Sequence, residues 1–243
     1  MFGTRPTSCK VCFQSFREKS CKMELFDPLH VENIGVTLAV ELLEQPFYSL
    51  PPEELFSGAG VYAIYYNGPH PAYSQLIGLD GGTGGKKYPV YIGSAVRENA
   101  KQGFNPRATT SKRLRTRLSH HAESIRAVVD GGLDLDLRLE DFSCRFLILN
   151  DAYITLAESV LIATFRPAWN GMGFGSKVVG SRRESQIPSL WDSLHPGRGG
   201  RPAGTSARGD QARAKIAESI TKLSTTPSDP RSAKMMEKIK RFL

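Results

Sequence analysis

The sequence predicts an α+β protein built around three short β-strands that are separated by α-helices. The strand segments are rich in β-branched and aromatic residues, which favour extended backbone. The helix segments repeat apolar residues every three or four positions, as helices with one buried face do. A length of 243 residues is enough to bury a substantial core, and a composition of 40% hydrophobic and 23% charged residues excludes a wholly disordered or collagen-like chain.

The elements can be placed by their apolar pattern and by the residues that end them. Pro46 and Pro167 follow the first and last helices and cannot continue them. Ser111 is a suitable N-cap for the middle helix, because its hydroxyl can accept a bond from a free backbone N–H. In chain order we expect a helix over 31–45, strands over 60–66 and 88–93, a helix over 111–129, a strand over 142–150 and a helix over 152–165.

Three segments outside these elements carry weaker signals. Residues 67–87 are Gly-rich but lack the Gly-Lys-Ser/Thr ending of a phosphate-binding loop, so we expect a long hairpin insertion there. Residues 1–22 are polar and without periodicity, which is typical of a disordered leader, and Met23 is a second candidate for the translation start. Residues 199–243 are expected to form a basic tail, partly helical or disordered, which leaves 23–198 as the folded domain.

The cysteines and the hydropathy pattern indicate the compartment. Four cysteines are too few for a disulfide scaffold in a chain of this length. Cys9, Cys12 and Cys21 have no fourth ligand at a zinc-site spacing, so incidental thiols are the simpler interpretation. No apolar run reaches the roughly 18–20 residues that span a bilayer, and the N-terminus lacks the apolar core of a signal peptide. We therefore expect a cytoplasmic protein with no membrane partner.

The formal net charge of +8 suggests nucleic acid as a partner, but this charge is unevenly distributed. Residues 1–22 carry +4 and residues 195–243 carry +7, so residues 23–194 carry −3. Within that middle part, residues 97–126 carry +6, whereas residues 23–58 contain seven acids and no Lys or Arg. A phosphate-facing surface of the folded domain should therefore lie around residues 97–126.

Five residues are candidates for chemistry, and each has a simpler structural interpretation. Glu158 lies in an apolar helix, where an ionised carboxylate is costly unless it faces solvent or a cation compensates it. Arg117 and His121 share a helix face and could bind a phosphate and move a proton, or could form part of a solvated face. Tyr62 and Tyr91 lie in strands, where tyrosines usually serve packing.

The order of these residues resembles the GIY-YIG nuclease superfamily. The two tripeptides of that name correspond to Gly60-Val61-Tyr62 and Tyr91-Ile92-Gly93, and Arg117, His121, Glu158 and Asn170 follow in the family's order. Each tripeptide alone is a weak signal, whereas the ordered set is specific. The resemblance implies a small three-stranded antiparallel sheet flanked by helices, which agrees with the elements predicted above.

Further strings within roughly residues 45–200 look like the type II restriction endonuclease branch that cuts the palindrome CCGCGG. They are residues 58–62, 141–146, 167–170 and 191–198. The resemblance implies a prokaryotic endodeoxyribonuclease that acts on double-stranded DNA as a homodimer, because a palindrome presents the same sequence to two subunits. A cognate methyltransferase of the same system is a further partner to expect.

The resemblance also implies how a phosphodiester would be hydrolysed. Glu158 would be the only protein ligand of one Mg²⁺ per active site, for which Mn²⁺ would substitute. Arg117 would brace the scissile phosphate, and Asn170 would position Glu158 or the phosphate.

Two tyrosines and a histidine would handle the attacking water. Tyr62 would be the general base, with its pKa lowered by nearby cations, and His121 is the alternative base. Tyr91 would orient the water or the phosphate.

Basic residues in two segments are the candidates for other DNA contacts, since Lys and Arg bind phosphates and guanines. They are Lys112, Arg113 and Arg115 at the start of the middle helix and Lys177, Arg182 and Arg183 in the loop after Asn170. Two other interpretations stay open. A GIY-YIG repair or homing nuclease would normally carry a separate DNA-binding or helicase-like domain, and a non-catalytic DNA-binding module would not need the carboxylate.

Overall fold

The computed structural model describes residues 29–79, 81, 88–97, 110–132, 134, 136–175, 187–202, 204–225 and 230–241. The helices in these ranges are α1 (Val31–Glu44), α2 (Ser74–Leu79), α3 (Arg113–Asp130), α4 (Asp151–Phe165), α5 (Leu190–Leu194), α6 (Ser206–Ser224) and α7 (Pro230–Lys240). The strands are β1 (Tyr48–Ser49), β2 (Gly60–Tyr66), β3 (Tyr91–Ala95) and β4 (Phe142–Ile148). Every helix and strand predicted between residues 31 and 165 is present.

The four strands form one antiparallel sheet in the order β1-β4-β2-β3. β2 lies in the centre, and Tyr62 is opposite Phe146 of β4 on one side and Gly93 of β3 on the other. β3 is an edge strand. The predicted small antiparallel sheet flanked by helices is confirmed, with β1 as a fourth strand that is too short, at two residues, to leave a pattern in the sequence.

Helices cover both faces of the sheet, so β2 is buried along its whole length. On one face Tyr62 and Ile64 pack in a core with apolar residues of α3, α5 and α6. On the other face Val61 and Ala63 pack with residues of α1, α4 and α7. A strand that is covered on both sides needs no polar face, which explains the unbroken apolar and aromatic character of residues 60–66.

The insertion between β2 and β3 is more ordered than the loop expected for residues 67–87, of which 67–79 and 81 are described. Pro71–Tyr73 form a 3₁₀ turn that leads into α2, and Nδ1 of His70 accepts a hydrogen bond from the Ala72 backbone N–H. Tyr73 is fully buried in the core shared with α3 and α6. Gly68 and Gly78 flank this turn in the sequence, and the aromatic side chain of Tyr73 fixes the turn to the core.

A buried chain of hydrogen bonds joins the insertion to the rest of the protein. The Trp169 indole N–H donates to the Tyr73 hydroxyl at 2.8 Å, and that hydroxyl lies 2.6 Å from Nε2 of His195. Nδ1 of His195 lies 2.6 Å from a carboxylate oxygen of Asp134. Burial lowers the pKa of His195 to about 4, so the neutral ring donates its Nδ1–H to the carboxylate and accepts from Tyr73 at Nε2.

Asp134 also faces His70, whose Nε2 lies 3.5 Å away, and the three side chains form a compact cluster with His195. Although burial acts in the opposite direction, hydrogen bonds from the two histidines hold the pKa of Asp134 well below its usual range. Nδ1 of His70 accepts from the Ala72 N–H, so the N–H that faces Asp134 is the one on Nε2. Hydrogen bonds therefore account for the close approach of His70, Asp134 and His195.

Residues 191–198, part of the restriction-branch resemblance, serve the fold. Trp191 is fully buried, and the Arg198 guanidinium lies 4.5 Å from the centre of its ring. Nε of Arg198 donates to Asp192 at 2.6 Å, and both charged side chains are buried. Removing one partner of a buried ion pair leaves the other charge buried and uncompensated, and this destabilises a protein strongly.

The described residues after 198 pack on the same two cores. Ile216 and Ile220 of α6 join the core around Tyr62, and Ile239 of α7 joins the opposite one. The sequence predicts a separate tail for residues 199–243 because they are rich in Gly, Ala, Ser and Pro and show no pattern of a second core. One apolar stripe on each helix is nevertheless enough to dock it on the existing cores. Within the described ranges, no helix combines the length and the apolarity needed to cross a membrane.

Candidate active site

The two tripeptides meet because β2 and β3 pair in a register that places Tyr62 opposite Gly93. Tyr91, two residues before Gly93, points to the same side of the sheet, and the two tyrosine ring centres lie 6.2 Å apart. A Cβ at position 93 would clash with the Tyr62 hydroxyl and with the Tyr91 ring. Only glycine leaves room for both rings, and this explains why the second tripeptide has glycine at position 93.

We predict that Gly93→Ala lowers the free energy of unfolding by about 1–3 kcal/mol, the usual cost of overpacking a tight site. Urea denaturation of the purified variant would measure this. Gly78→Ala is the matched control, because a Cβ there meets no atom within 4 Å. Equal stability of the Gly93→Ala variant and the unmodified protein would refute the packing argument.

The Tyr62 hydroxyl makes a short hydrogen bond, 2.6 Å long, with Nε2 of His121 on α3. Both side chains are buried. Burial and then the neighbouring Tyr91 raise the pKa of Tyr62 well above its usual range, and the Arg117 charge offsets only part of that effect. This is opposite to the expectation that cations would lower the pKa of Tyr62. Burial, assisted by the charge of Arg117, lowers the pKa of His121 to about 3. Tyr62 therefore donates its proton to a neutral imidazole.

Arg117 lies one helical turn before His121, as the spacing predicted, and its guanidinium is half-buried beside the tyrosines. One of its terminal amino groups donates to the Gly175 backbone carbonyl at 3.0 Å. Although burial opposes it, the interaction with Tyr62 and Tyr91 raises the pKa of Arg117, so the charge persists. Its Nε–H is buried and has no acceptor among the described residues, and an anionic oxygen would satisfy it.

Two residues that no sequence motif singles out complete this side of the cluster. Phe174 stacks on His121 with a ring-centre distance of 4.7 Å and meets Tyr91 edge-on at 5.0 Å. Gly175 has a φ of +72°, and a Cβ there would lie 2.8 Å from the Tyr91 hydroxyl. The glycines that follow Asn170 in the sequence were the available signal, because they mark a chain that turns tightly against other groups.

Glu158 on α4 approaches β3 from the opposite face of the sheet. The Ser94 hydroxyl donates to its Oε2 at 2.7 Å, and the side chain is half-buried rather than enclosed by apolar groups. Because β3 is an edge strand, the carboxylate can meet the tyrosines around that edge, and its charge raises the pKa of both Tyr62 and Tyr91. A partly exposed carboxylate suits Mg²⁺, which takes oxygen ligands and keeps several waters.

Asn170 fixes the backbone of the edge strand. Its Oδ1 accepts from the Ile92 N–H at 3.0 Å, and its Nδ2 donates to the Ile92 carbonyl at 2.8 Å. These two bonds satisfy outward-facing groups of an edge strand. The amide thus positions the residue between Tyr91 and Gly93, and no described hydrogen bond joins it to Glu158.

The predicted DNA-binding residues divide into two groups. Lys112 is the exposed N-cap residue of α3, the helix that carries Arg117 and His121. Arg113 is exposed and Arg115 is half-buried on the first turn of that helix. Lys177, Arg182 and Arg183 lie outside the described residues. The first group therefore lies at the start of the helix that carries two residues of the cluster, and its contact with DNA stays a prediction.

The buried histidines predict how stability depends on pH. The folded pKa values of His121 and His195, about 3 and about 4, lie below the value of about 6.5 in an unfolded chain. The unfolded state binds more protons below pH 6.5, so stability is complete above that pH and decreases as the pH falls. We expect a loss of up to about 1.4 kcal/mol per histidine per pH unit. Thermal melts between pH 7 and pH 5 would measure it, and His121→Gln should flatten the dependence. A melting temperature independent of pH would contradict these assignments.

The antiparallel sheet, its flanking helices and the tyrosine pair on its edge define a GIY-YIG nuclease-like fold. A comparison with protein-family models matches residues 54–224 to the Eco29kI GIY-YIG domain, which is more than half of the chain. The chain therefore belongs to the Eco29kI GIY-YIG family of restriction endonucleases. No curated protein matches the chain significantly. The family match ends at the last residue of α6, in agreement with the packing of that helix on the core.

Proposed function

We propose that this protein is a type II restriction endonuclease that makes Mg²⁺-dependent double-strand cuts at a short GC-rich palindrome, CCGCGG. The observation that carries the proposal is the cluster of Tyr62, Tyr91, Arg117 and His121 on one side of the edge strand, with Glu158 on the other. A module that only binds DNA would not need a buried tyrosine–histidine pair beside a carboxylate. The family membership favours restriction over repair or homing among nucleases of this fold.

Arg117 is the group that would bind the scissile phosphate. Its charge is retained, and its buried Nε–H lacks an acceptor in the described structure. A guanidinium offers a planar fork that matches two phosphate oxygens. The same charge would stabilise the pentacovalent transition state, which carries more negative charge than the substrate.

His121 would receive the proton of the attacking water through Tyr62. As the water oxygen bonds to phosphorus, its proton passes to the Tyr62 oxygen, and Tyr62 gives its own proton to Nε2 of His121. The bond between phosphorus and the leaving oxygen breaks, and that oxygen is protonated from solvent. The raised pKa of Tyr62 makes a relay more favourable than a free tyrosinate, so the two candidate bases would act together. The lowered pKa of His121 makes it a weak base, and negative charge that develops on the adjacent phosphate would favour its protonated form. Tyr91 would orient the water or the phosphate.

Glu158 is the residue that would hold Mg²⁺, with Ser94 fixing one of its oxygens. Bound there, the cation would act as a Lewis acid that offsets charge on the phosphate, and Mn²⁺ would substitute for it. Asn170 would keep β3 in place beneath this carboxylate. We further propose a homodimer with one such site per DNA strand, and a cognate methyltransferase that protects the host's own sites.

Digestion of plasmid DNA with the full-length protein and Mg²⁺, followed by sequencing of the ends, tests this function. We expect discrete fragments whose ends all map to CCGCGG, and no cutting in EDTA. Nicking or cuts that depend on DNA structure would indicate a repair enzyme instead. A gel shift without cleavage would indicate a binding module, and either result would overturn the proposal.

A further inference from the structure

A cleft of about 660 Å³ lies between the C-terminal end of α4 and α6. Three cations line it, Arg166, Lys215 and Lys222, against a single acid, Glu218. Asn170 also contributes to its wall. The cleft therefore carries a positive excess at the place where α4 and α6 meet.

The cleft lies next to the catalytic cluster. Asn170, which lines it, is bound to Ile92 of β3, and Glu158 is bound to Ser94 of the same strand. Two residues along a strand span only about 7 Å. Ile162, one turn after Glu158 on α4, also lines the cleft. The cleft therefore extends along the helix that carries the Glu158 carboxylate.

Arg166 occupies a position that favours a different residue type. It ends α4 in the left-handed region, with a φ of 43°, where glycine is the usual residue. A side chain there costs stability, and such costs cluster at functional positions. The Arg166 guanidinium makes no hydrogen bond or ion pair among the described residues. The backbone carbonyl of Arg166 accepts from the Ser219 hydroxyl, which holds the end of α4 against α6.

The two lysines hold only weak partners. Nζ of Lys215 donates to the Gly171 carbonyl at 3.1 Å, and Lys222 pairs with Glu218 one turn earlier on α6. The side chains of that pair are 51% and 62% exposed, so solvent screening leaves the pair little strength. Both ammonium groups could therefore exchange these partners for a phosphate.

We propose that this cleft binds the DNA backbone, with Lys215, Lys222 and Arg166 contacting phosphates that flank the scissile one. The proposal rests on the proposed nuclease function and adds a substrate contact to it. It also gives α6 a role in binding as well as in packing, since the same helix buries Ile216 in the core.

The test is the salt dependence of DNA binding by the double variant Lys215→Ala/Lys222→Ala. Fluorescence anisotropy would follow a labelled duplex containing CCGCGG, without divalent cations, between 50 and 200 mM salt. We expect weaker binding and a slope of log K against log salt that is smaller by about 0.9 for each phosphate that the variant no longer neutralises. Arg213→Ala/Lys234→Ala removes the same charge from exposed positions outside the cleft and should keep the slope.

Circular dichroism melts would check that each variant folds. A slope of the cleft variant equal to that of the control variant would overturn the proposal. Failure of the proposed function looks different, because the unmodified protein would then leave DNA uncut in Mg²⁺ whatever the slopes are.

Discussion

Glu158→Ala is expected to abolish DNA cleavage and to leave DNA binding nearly unchanged. The carboxylate is held by the Ser94 hydroxyl at the edge strand β3, the strand that also carries Tyr91. Without this carboxylate the proposed Mg²⁺ site would lose its protein ligand, and the cleavage rate should fall on the order of 10³-fold or more. Single-turnover cleavage at saturating enzyme would measure the rate, and anisotropy without divalent cations would measure binding.

Ser159→Ala is a suitable control for Glu158→Ala, because its exposed side chain lies next in the sequence and bonds only within α4. It should cleave normally. Cleavage retained by Glu158→Ala would remove the carboxylate from the mechanism, whereas loss of folding in that variant would appear in its thermal melt. The two results can therefore be told apart.

Arg117→Ala is expected to lower the single-turnover rate by about 10²–10³-fold, the usual cost of one group that stabilises transition-state charge. Arg117→Lys should restore only part of the rate, because an ammonium cannot reproduce a planar fork. Removing the bond to the Gly175 carbonyl would by itself lower stability, so the melting temperature must be measured alongside.

Arg126→Ala provides the comparison for Arg117→Ala, since Arg126 is an exposed cation on the same helix. It should retain the cleavage rate and most of the affinity. An Arg117→Ala variant that folds, binds and cleaves as Arg126→Ala does would show that Arg117 serves packing alone.

The sequence predicted those parts of the fold that have a local cause. β2 and α4 are strongly patterned, and Pro167 ends α4 as expected. The two-residue strand β1 has no such pattern, and the docking of α6 depends on contacts with distant segments rather than on its own composition. Local propensity does not contain that information.

The site shows the same division. The order of Tyr62, Arg117, His121 and Glu158 along the chain predicted the cluster, because the ordered set is specific although each residue type is common. The raised pKa of Tyr62 could not be predicted, because it follows from burial of the side chain and then from the neighbouring Tyr91. The hydrogen bonds between Asn170 and the Ile92 backbone could not be predicted either, because the edge of β3 exists only once the sheet has formed.

The central claim, specific cutting at a palindrome by this cluster, is tested most directly with two DNA duplexes of equal length and composition. One contains CCGCGG, and in the other the same six bases are scrambled. With Mg²⁺, the unmodified protein should cut both strands of the first duplex and leave the second intact, and Glu158→Ala should cut neither. Equal cutting of both duplexes, or cutting of neither by the unmodified protein, would contradict the account.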